Sequence, residues 1–336
     1  MMIQFQNEQV TVFESQLYKT TSTVIETPDC ILVVDPNWLP NEIEAIHHFV
    51  EQRRQNRPLY LLFTHSDFDH ILGYGAFSDA TVIASRAFTE HPDKEGAIAQ
   101  VRSFDDQYYI DRPYDYQYPA VDIIADNEQE LHIGETKLTF YSAPGHTKDG
   151  LFTIVEPLGI FIAGDYLSDI EFPYIYDSSA AYLNTLQKAK NIIHQHAISL
   201  LIVGHGHATA LHNEMVSRIE TAEQYIVKLR QAIVENQSTA AKDYISNYRY
   251  LESMTKYHES NITLLKNELQ NSSEELCYIF NRSRDYIISR VIYIISCIIY
   301  LKPKVIYLIS WFIYLKTKVI YLRQKFDFII KIKNPV

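Results

Sequence analysis

The 336-residue sequence has an ordinary hydrophobic fraction of 47%, which allows one large domain or two smaller ones with a substantial core. Its formal net charge of -11 is uneven, because residues 277–336 carry eleven Lys and Arg against two Asp, whereas the body carries 39 acidic and 19 basic side chains. An acidic body excludes a general nucleic-acid-binding surface, since phosphate contacts require Lys and Arg, and favours a small-molecule substrate.

Cysteine usage and the first residues of the chain predict the compartment. The three cysteines, Cys30, Cys277 and Cys297, are far apart and lack a CxxC spacing, which fits neither a disulfide framework nor a thiolate zinc site. The opening stretch MMIQFQNEQVTVFESQ has no basic segment followed by an apolar run, so we predict no signal peptide. A reducing, cytoplasmic location is therefore expected.

The first 85 residues predict strands followed by a unit of alternating strand and helix. IQFQNEQVTVFES and YKTTSTVIETPDCILVVD are rich in β-branched and aromatic residues, which is typical of antiparallel hairpins. Residues 41–55 have apolar side chains at helical spacing and are followed by LYLLFT, a short apolar run typical of a buried strand. This alternation predicts a sheet with a helix packed on it, in which ligands bind at the strand ends.

Residues 86–128 form a different kind of segment, with five tyrosines between Tyr108 and Tyr118. One interpretation is a surface excursion that packs its own aromatic side chains. The other is a cap over a pocket, in which the tyrosines contact a substrate. Both interpretations stay open from the sequence alone.

Strand and helix signals alternate again in the rest of the body. ETKLTFYSAPGH, LFTIVEP and GIFIAGD predict strands, and SLLIVGHGH predicts a later one. Residues 180–196 and 213–237 have the periodicity of amphipathic helices, and the segment that follows, to about Gln270, is also expected to be helical.

Residue types that bind metals follow four apolar runs, each just past a predicted strand. A lone histidine is usually structural, but four such positions in order along the chain predict a metal centre. Imidazole and carboxylate groups of this kind suit zinc, iron or manganese. The residues are His65, Asp67, Asp69 and His70 after LYLLFT, His146 after LTFYSAPG, Asp165 after GIFIAG and His205 after LLIVG.

The motifs THSDFDH, PGHT, AGD and VGHGH resemble, in order, those of the metallo-β-lactamase superfamily. That family has T-H-x-H-x-D-H, then G-H-[ST], G-D and G-H-G, along an αββα sandwich. The resemblance covers roughly residues 1–235 and implies a mixed α/β (α+β) chain with this four-layer sandwich. Residues 86–128 would be a possible cap insertion, 236–275 a C-terminal helical extension and 276–336 an anomalous repetitive tail.

The resemblance also implies a binuclear metal site that holds two divalent ions, with zinc expected first and iron or manganese as alternatives. Two cations would lower the pKa of a bridging water and polarise the bond under attack. Asp69 and Asp165 would be the catalytic residues, Asp69 by orienting that water or receiving its proton. The implied ligands are His65 and His146 for the first metal, Asp69, His70 and His205 for the second, and Asp165 as the bridge.

Asp67 departs from the family pattern, which has a first-metal histidine at this position. Asp67 can still be a ligand and make an oxygen-rich site that tolerates iron or manganese, as the glutamate of the flavodiiron branch does. Alternatively it fails to reach and leaves the first site weak, or the site has decayed. Asp35, which ends CILVVD, fits either an acceptor for a ligand histidine or a turn cap equally well.

The remaining histidines are interpreted as structural or surface residues. They are His47, His48, His91, His132, His194, His196, His207 and His212. His207 is the first exception to consider, because it lies two residues beyond His205.

The tail contains a 14-residue repeat. VIYIISCIIYLKPK is followed by VIYLISWFIYLKTK, and the two agree at ten of fourteen positions. Each apolar run is 11 residues long, whereas a bilayer span needs about 20 residues. An accidental extension past a true end near residue 275 is the favoured interpretation, and contact with a membrane surface is the alternative.

Three classes of function follow. The first is a metal-dependent hydrolase that uses a metal-bound hydroxide on an ester, thioester, lactone or phosphoester of a small molecule. The second is a diiron redox protein of the flavodiiron type, although the sequence shows no flavin-binding segment. The third is a non-catalytic binding module on the same fold. The sequence does not determine the oligomeric state.

Overall fold

The computed structural model describes residues 2–282 and 311–318, with only the backbone described for 272–282. The chain divides into two compact units, the first consisting of Met1–Arg230 and Thr239–Lys266 and the second of Gln231–Ser238 with the residues from Asn267 onward. Most of the predicted tail, and with it the membrane-surface interpretation, lies outside the described residues. Residues 311–318 form a helix with exposed side chains. Within the described residues, none of the helices combines the length and apolar character that a bilayer crossing needs.

The first sheet has seven strands in sequence order. Strands β1 to β4 pair antiparallel, and β4 to β7 pair parallel. The strands are β1 (Met2–Gln6), β2 (Val10–Glu14), β3 (Thr21–Glu26), β4 (Ile31–Val34), β5 (Leu59–Leu62), β6 (Thr81–Ser85) and β7 (Ile123–Ala125).

The second sheet has five strands in the order β12-β11-β10-β9-β8, and only β11 and β12 pair parallel. The strands are β8 (Glu130–Ile133), β9 (Thr136–Ser142), β10 (Leu151–Glu156), β11 (Ile160–Ile162) and β12 (Leu200–Ile202).

Eight helices are described in the body of the chain. The predicted helices over 41–55, 180–196 and 213–237, and the helical character toward Gln270, are confirmed within a few residues. The helices are α1 (Pro40–Arg54), α2 (Phe68–Ile71), α3 (Arg86–Thr89), α4 (Lys94–Tyr108), α5 (Ser179–Gln195), α6 (His212–Val234), α7 (Ala241–Tyr244) and α8 (Leu251–Arg282).

Strand periodicity sorts the apolar side chains into separate layers. In β4, Ile31 and Val33 belong to the cluster that packs against α1 and α4, whereas Leu32 and Val34 belong to the cluster shared with the second sheet. This division is expected because successive side chains of a strand point to opposite faces. On the outer face of the second sheet, Tyr182 of α5 packs on Tyr166, which contacts Phe152 of β10. The four-layer αββα sandwich implied by the resemblance is confirmed.

Candidate metal centre

Four loops that follow strand ends bring the predicted metal-binding residues together. The carboxyl ends of parallel strands share one edge of a sheet, so residues just past β4 and β5 lie together, as do residues just past β11 and β12. The β9–β10 connection adds the remaining histidine. The residues concerned are His65, Asp67, Asp69 and His70 after β5, His146 between β9 and β10, Asp165 after β11 and His205 after β12.

Glycines allow the backbone to turn sharply beside these residues. Gly145, directly before His146, has a φ of 127°, and a Cβ at this position would lie 2.4 Å from the backbone nitrogen of Tyr182. A Cβ on Gly204, directly before His205, would lie 2.1 Å from the Asp165 Oδ1 atom. Any larger residue at either position would therefore displace a ligand-bearing loop.

The first group of side chains consists of His65, Asp67, His146 and Asp165, whose ligand atoms all lie within 4.8 Å of one another. The Nε2 atom of His146 is 3.3 Å from Asp67 Oδ2 and 3.4 Å from Asp165 Oδ2. The Nε2 atom of His65 is 3.8 Å and 3.7 Å from the same two oxygens. Asp67 therefore reaches the first group despite being shorter than the histidine of the family pattern.

The second group consists of Asp69, His70 and His205, again within 4.8 Å. Asp69 Oδ2 lies 3.2 Å from His205 Nε2 and 3.6 Å from His70 Nε2. The two oxygens of Asp165 also face this group, with Oδ1 3.1 Å from His70 Nε2 and Oδ2 3.3 Å from His205 Nε2. Asp165 thus lies between the two groups, where a bridging ligand would be.

Backbone carbonyls fix the orientation of two of the imidazoles. His146 Nδ1 lies 2.8 Å from the Tyr174 carbonyl oxygen, and His205 Nδ1 lies 3.1 Å from the Tyr18 carbonyl oxygen. Because a carbonyl can only accept, each Nδ1 carries a hydrogen, so in the neutral imidazole that a metal requires the lone pair lies on Nε2 and points into the centre.

Asp35 organises the other two imidazoles. Its Oδ2 atom lies 2.9 Å from His70 Nδ1 and accepts a 2.6 Å hydrogen bond from the Thr64 hydroxyl, while Oδ1 accepts from the Thr64 backbone N–H at 2.9 Å. The Thr64 oxygen in turn lies 2.9 Å from His65 Nδ1 and can accept its hydrogen. Of the two interpretations of Asp35, the structure supports the acceptor for a ligand histidine.

Several atoms that point into the centre are buried and lack a well-aligned hydrogen bond within the described part of the chain, although oppositely charged atoms lie near them. They are Nε2 of His65, His70 and His146, and Oδ1 of Asp165. Buried polar atoms are nearly always hydrogen-bonded, and a bound ion is one explanation of an exception. Lone pairs of imidazole and carboxylate that converge in this way fit divalent cations.

In the metal-free protein, the carboxylates hold protons on most of the imidazoles. Burial opposes the charged form, but Asp165 outweighs it and raises the pKa of His70 and of His205 well above the ordinary value. The nearby carboxylates of Asp165 and Asp67 raise the pKa of His146 to about 10 in the same way. Only His65 has a lowered pKa, because of burial and the neighbouring His70. Cation binding would therefore have to displace protons.

A cavity of about 1320 Å³ opens over both groups. Sequence reasoning missed most of its wall, although FPYIYD, shortly after Asp165, is a tyrosine-rich signal that could have drawn attention. Burial raises the pKa of the Glu171 carboxyl in this wall to about 7. The aromatic residues of the wall include Tyr18, Trp38, Phe68, Tyr174 and Tyr176. Another part of the wall is formed by Ser253, Met254 and Tyr257 of α8 and by Tyr250, which directly precedes this helix.

Three tyrosines of the 86–128 segment donate hydrogen bonds from their hydroxyls, one to a residue outside the segment and two to residues within it. The hydroxyls of Tyr114, Tyr116 and Tyr118 donate to the Leu72 carbonyl, the Asp105 carboxylate and the Phe88 carbonyl. The part of the segment that lines the cavity lies earlier and consists of Ala87, Glu90, His91, Pro92 and Gln100. His207, the exception among the other histidines, is paired with Asp169 at 2.7 Å and belongs to neither group.

Comparison with known proteins identifies the family. A family model described as the metallo-beta-lactamase superfamily matches residues 16–211. A metallo-beta-lactamase type 2 from Bacillus sp. (strain 170) is 24% identical over 198 residues, which are 58% of this chain and 69% of that protein. The corresponding enzyme from Bacillus cereus is 22% identical over 58% of this chain and 70% of its own length. The crystal structure of a metallo-beta-lactamase family protein from Thermus thermophilus covers 75% of this chain and 92% of its own, with a TM-score of 0.52 and 16% identity, and so shows the fold alone.

Proposed function

Because the chain belongs to the metallo-beta-lactamase superfamily, we propose that it is a metal-dependent hydrolase of a small-molecule ester, thioester, lactone or phosphoester. The observation that carries the proposal is the convergence of seven side chains into two adjacent groups with Asp165 between them. The buried Nε2 atoms of these groups that lack a well-aligned hydrogen bond support cation binding independently of the motifs.

The two groups support the following assignment of ligands. Two divalent cations bound here would make water nucleophilic near neutral pH and polarise the bond under attack. The first cation would be held by His65, Asp67, His146 and Asp165, and the second by Asp69, His70, His205 and Asp165.

Asp69 has the exposure and charge expected of a group that handles protons. Its side chain is 13% exposed and lines the cavity. Burial alone would raise its pKa, but His70 and His205 outweigh burial and lower it, so the carboxylate is ionised near neutral pH. An ionised carboxylate on the cavity wall can orient an attacking water and accept its proton.

A diiron redox function is the second candidate, and one observation favours it. Asp67 gives the first group two carboxylates beside two imidazoles, a harder set of donors than three imidazoles and one carboxylate. Elemental analysis separates the candidates. Two irons with visible absorption would favour the redox function, whereas zinc or manganese would favour the hydrolase.

The hydrolase is tested by elemental analysis of the purified full chain, followed by a panel of ester, thioester, lactone, phosphodiester and β-lactam substrates. We expect two metal ions per chain and a hydrolytic activity that Asp69→Asn abolishes. Asp106→Asn, at an exposed position of α4, is the matched control and should leave the activity unchanged. A chain that binds no metal, or an Asp69→Asn variant that is as active as the wild type, would contradict the proposal.

A further inference from the structure

Helix α8 lines the cavity over the candidate metal centre although it lies beyond residues 16–211, the range matched by the family model. Its side chains Ser253, Met254 and Tyr257 line the cavity over the two groups. The segment of chain that faces them is 173–177, which also carries the acceptor for His146. Contacts between α8 and this segment can therefore affect the orientation of His146, a proposed ligand.

Asn261 of α8 holds segment 173–177 through both ends of its amide. The side chain is 1% exposed. Its Oδ1 atom accepts a 3.0 Å hydrogen bond from the Ile175 N–H, and its Nδ2 atom donates a 2.6 Å hydrogen bond to the Pro173 carbonyl. A carbonyl can only accept and an N–H can only donate, so these two partners also fix which end of the amide is oxygen. The residue between them in sequence, Tyr174, is thereby clamped on both sides.

Tyr174 passes this constraint to His146. The Tyr174 carbonyl accepts the hydrogen of His146 Nδ1 at 2.8 Å, and the Tyr176 N–H donates to the His146 carbonyl at 2.8 Å. The Tyr174 ring stacks on Tyr257 at 4.3 Å between centroids, with 20° between the planes. Tyr257 and Asn261 are four residues apart and so lie on one face of α8. This face of α8 therefore contacts both the ring of Tyr174 and the backbone on either side of Tyr174, the residue whose carbonyl orients His146.

We propose that α8 is a positioning element of the metal centre, in which Asn261, supported by Tyr257, fixes the His146 imidazole so that its Nε2 atom faces the first group. Asn261 is a positioning residue and does not itself touch a cation. The inference rests on the proposed metal site and adds to it a requirement for residues outside the family-matched range. Without the clamp, the Tyr174 carbonyl would move and the His146 imidazole would lose its fixed orientation.

The test measures zinc affinity and stoichiometry of the full chain by competition with a chelator, together with the visible spectrum of bound Co²⁺. We expect Asn261→Leu to lower the affinity for one of the two zinc ions by about tenfold. This is the lower end of the loss in metal affinity that follows when the outer hydrogen-bond partner of a ligand histidine is disturbed. The other zinc should bind as in the wild type, and the Co²⁺ spectrum should change.

Tyr225→Phe is the matched control. It removes the buried hydroxyl that accepts from Asn261 Nδ2 at 3.0 Å and lies 2.8 Å from His258 Nδ1, but it leaves the two bonds to segment 173–177 in place. We expect it to lower the melting temperature of the metal-free protein without changing zinc affinity. If Asn261→Leu does not fold, Tyr257→Leu at the cavity wall removes the stack on Tyr174 and should weaken the same zinc ion.

Three outcomes would overturn the inference. If Asn261→Leu folds, equal zinc affinities of this variant and the wild type would overturn the inference and leave the proposed function standing. If only Tyr257→Leu folds, equal zinc affinities of Tyr257→Leu and the wild type would do the same. Equal losses in Asn261→Leu and Tyr225→Phe would show a general packing effect. A wild-type chain that binds none of zinc, Co²⁺, manganese and iron would overturn the proposed function and this inference with it.

Discussion

The Asp67 carboxylate lies 3.3 Å from the imidazole of His146, measured from Oδ2 to Nε2. Both side chains face Asp165, so the first group contains two imidazoles and two carboxylates. In the family pattern T-H-x-H-x-D-H, the residue at position 67 is histidine, which would give three imidazoles and one carboxylate. The first group of this chain therefore carries one additional negative charge and a harder donor, and hard donors favour manganese and iron relative to zinc.

The first prediction concerns metal preference. We expect Asp67→His to increase the preference of the first group for zinc over manganese by roughly tenfold, a change comparable to the smaller effects seen when partners of metal ligands are altered. Zinc and manganese are offered together at equal concentration, and the bound metals are counted by elemental analysis. Asp106→His, on the exposed face of α4, controls for a new surface histidine. An unchanged ratio of bound metals would show that Asp67 is not a ligand.

The second prediction concerns Asp35, which has a φ of 44° and accepts from both His70 and Thr64. Asparagine tolerates this backbone conformation, so Asp35→Asn should preserve the loop while it replaces a carboxylate acceptor with a weaker amide oxygen. We expect the affinity for the second metal to fall by about 10-fold to 100-fold. Asp29→Asn is the control, because Asp29 similarly accepts from the N–H groups of Glu135 and Thr136 away from the centre. Equal affinities in Asp35→Asn and the wild type would contradict this role.

The third prediction concerns pH. In the metal-free protein, burial opposes a charged His146, but Asp165 and Asp67 raise its pKa from 6.5 to about 10. A group whose pKa is higher in the folded than in the unfolded state stabilises the folded protein. This contribution is fully present below the unfolded pKa and is lost as pH rises through the folded pKa. We therefore expect the free energy of unfolding of the metal-free chain to fall as pH rises from about 6.5 to about 10.

Urea unfolding at a series of pH values, in the presence of a chelator, measures this dependence. His146→Gln removes one of the titrating groups and should make the decline shallower across the same window, because His70 and His205, whose pKa values are also raised, remain. Zinc affinity should rise across it, because a metal requires the neutral imidazole and its binding releases the proton. A decline of the same steepness in His146→Gln would assign the effect to other groups.

Local sequence was sufficient to single out the side chains that the structure brings into the two groups, because each comes shortly after the end of a strand. THSDFDH comes just past β5, and AGD just past β11, so a buried apolar run and the polar residue after it were enough to place His65 and Asp165. Asn261 could not be found in this way. It is one polar residue in an amphipathic helix, and its partner Ile175 lies 86 positions earlier. The wall of the cavity depends on such long-range packing, which no local pattern encodes.

The tyrosines between 108 and 118 show the same limit, since composition identified the segment but not the hydrogen-bond partners of the hydroxyls. Tyr116 donates to Asp105, which lies eleven residues earlier and is also the partner of a buried arginine. The pattern gave no means of choosing between a cap and a packed excursion. The buried ion pair now provides a specific test of how this segment is held.

The last prediction concerns Arg112 and Asp105, which form a bidentate ion pair with N···O distances of 2.7 Å and 2.9 Å. Their side chains are 0% and 2% exposed. Arg112→Leu leaves the Asp105 charge buried and unpaired, so we expect a loss of about 3–5 kcal/mol in the free energy of unfolding, measured in urea. Arg86→Leu breaks an equally short two-point pair with Asp126, but both of those side chains are about half exposed, so solvent screens the charge that remains and the loss should be much smaller. Replacing Arg112 and Asp105 together by leucine should recover most of the loss, because no unpaired charge remains. Similar losses at Arg112 and Arg86 would show that the buried pair does not hold the 86–128 segment together.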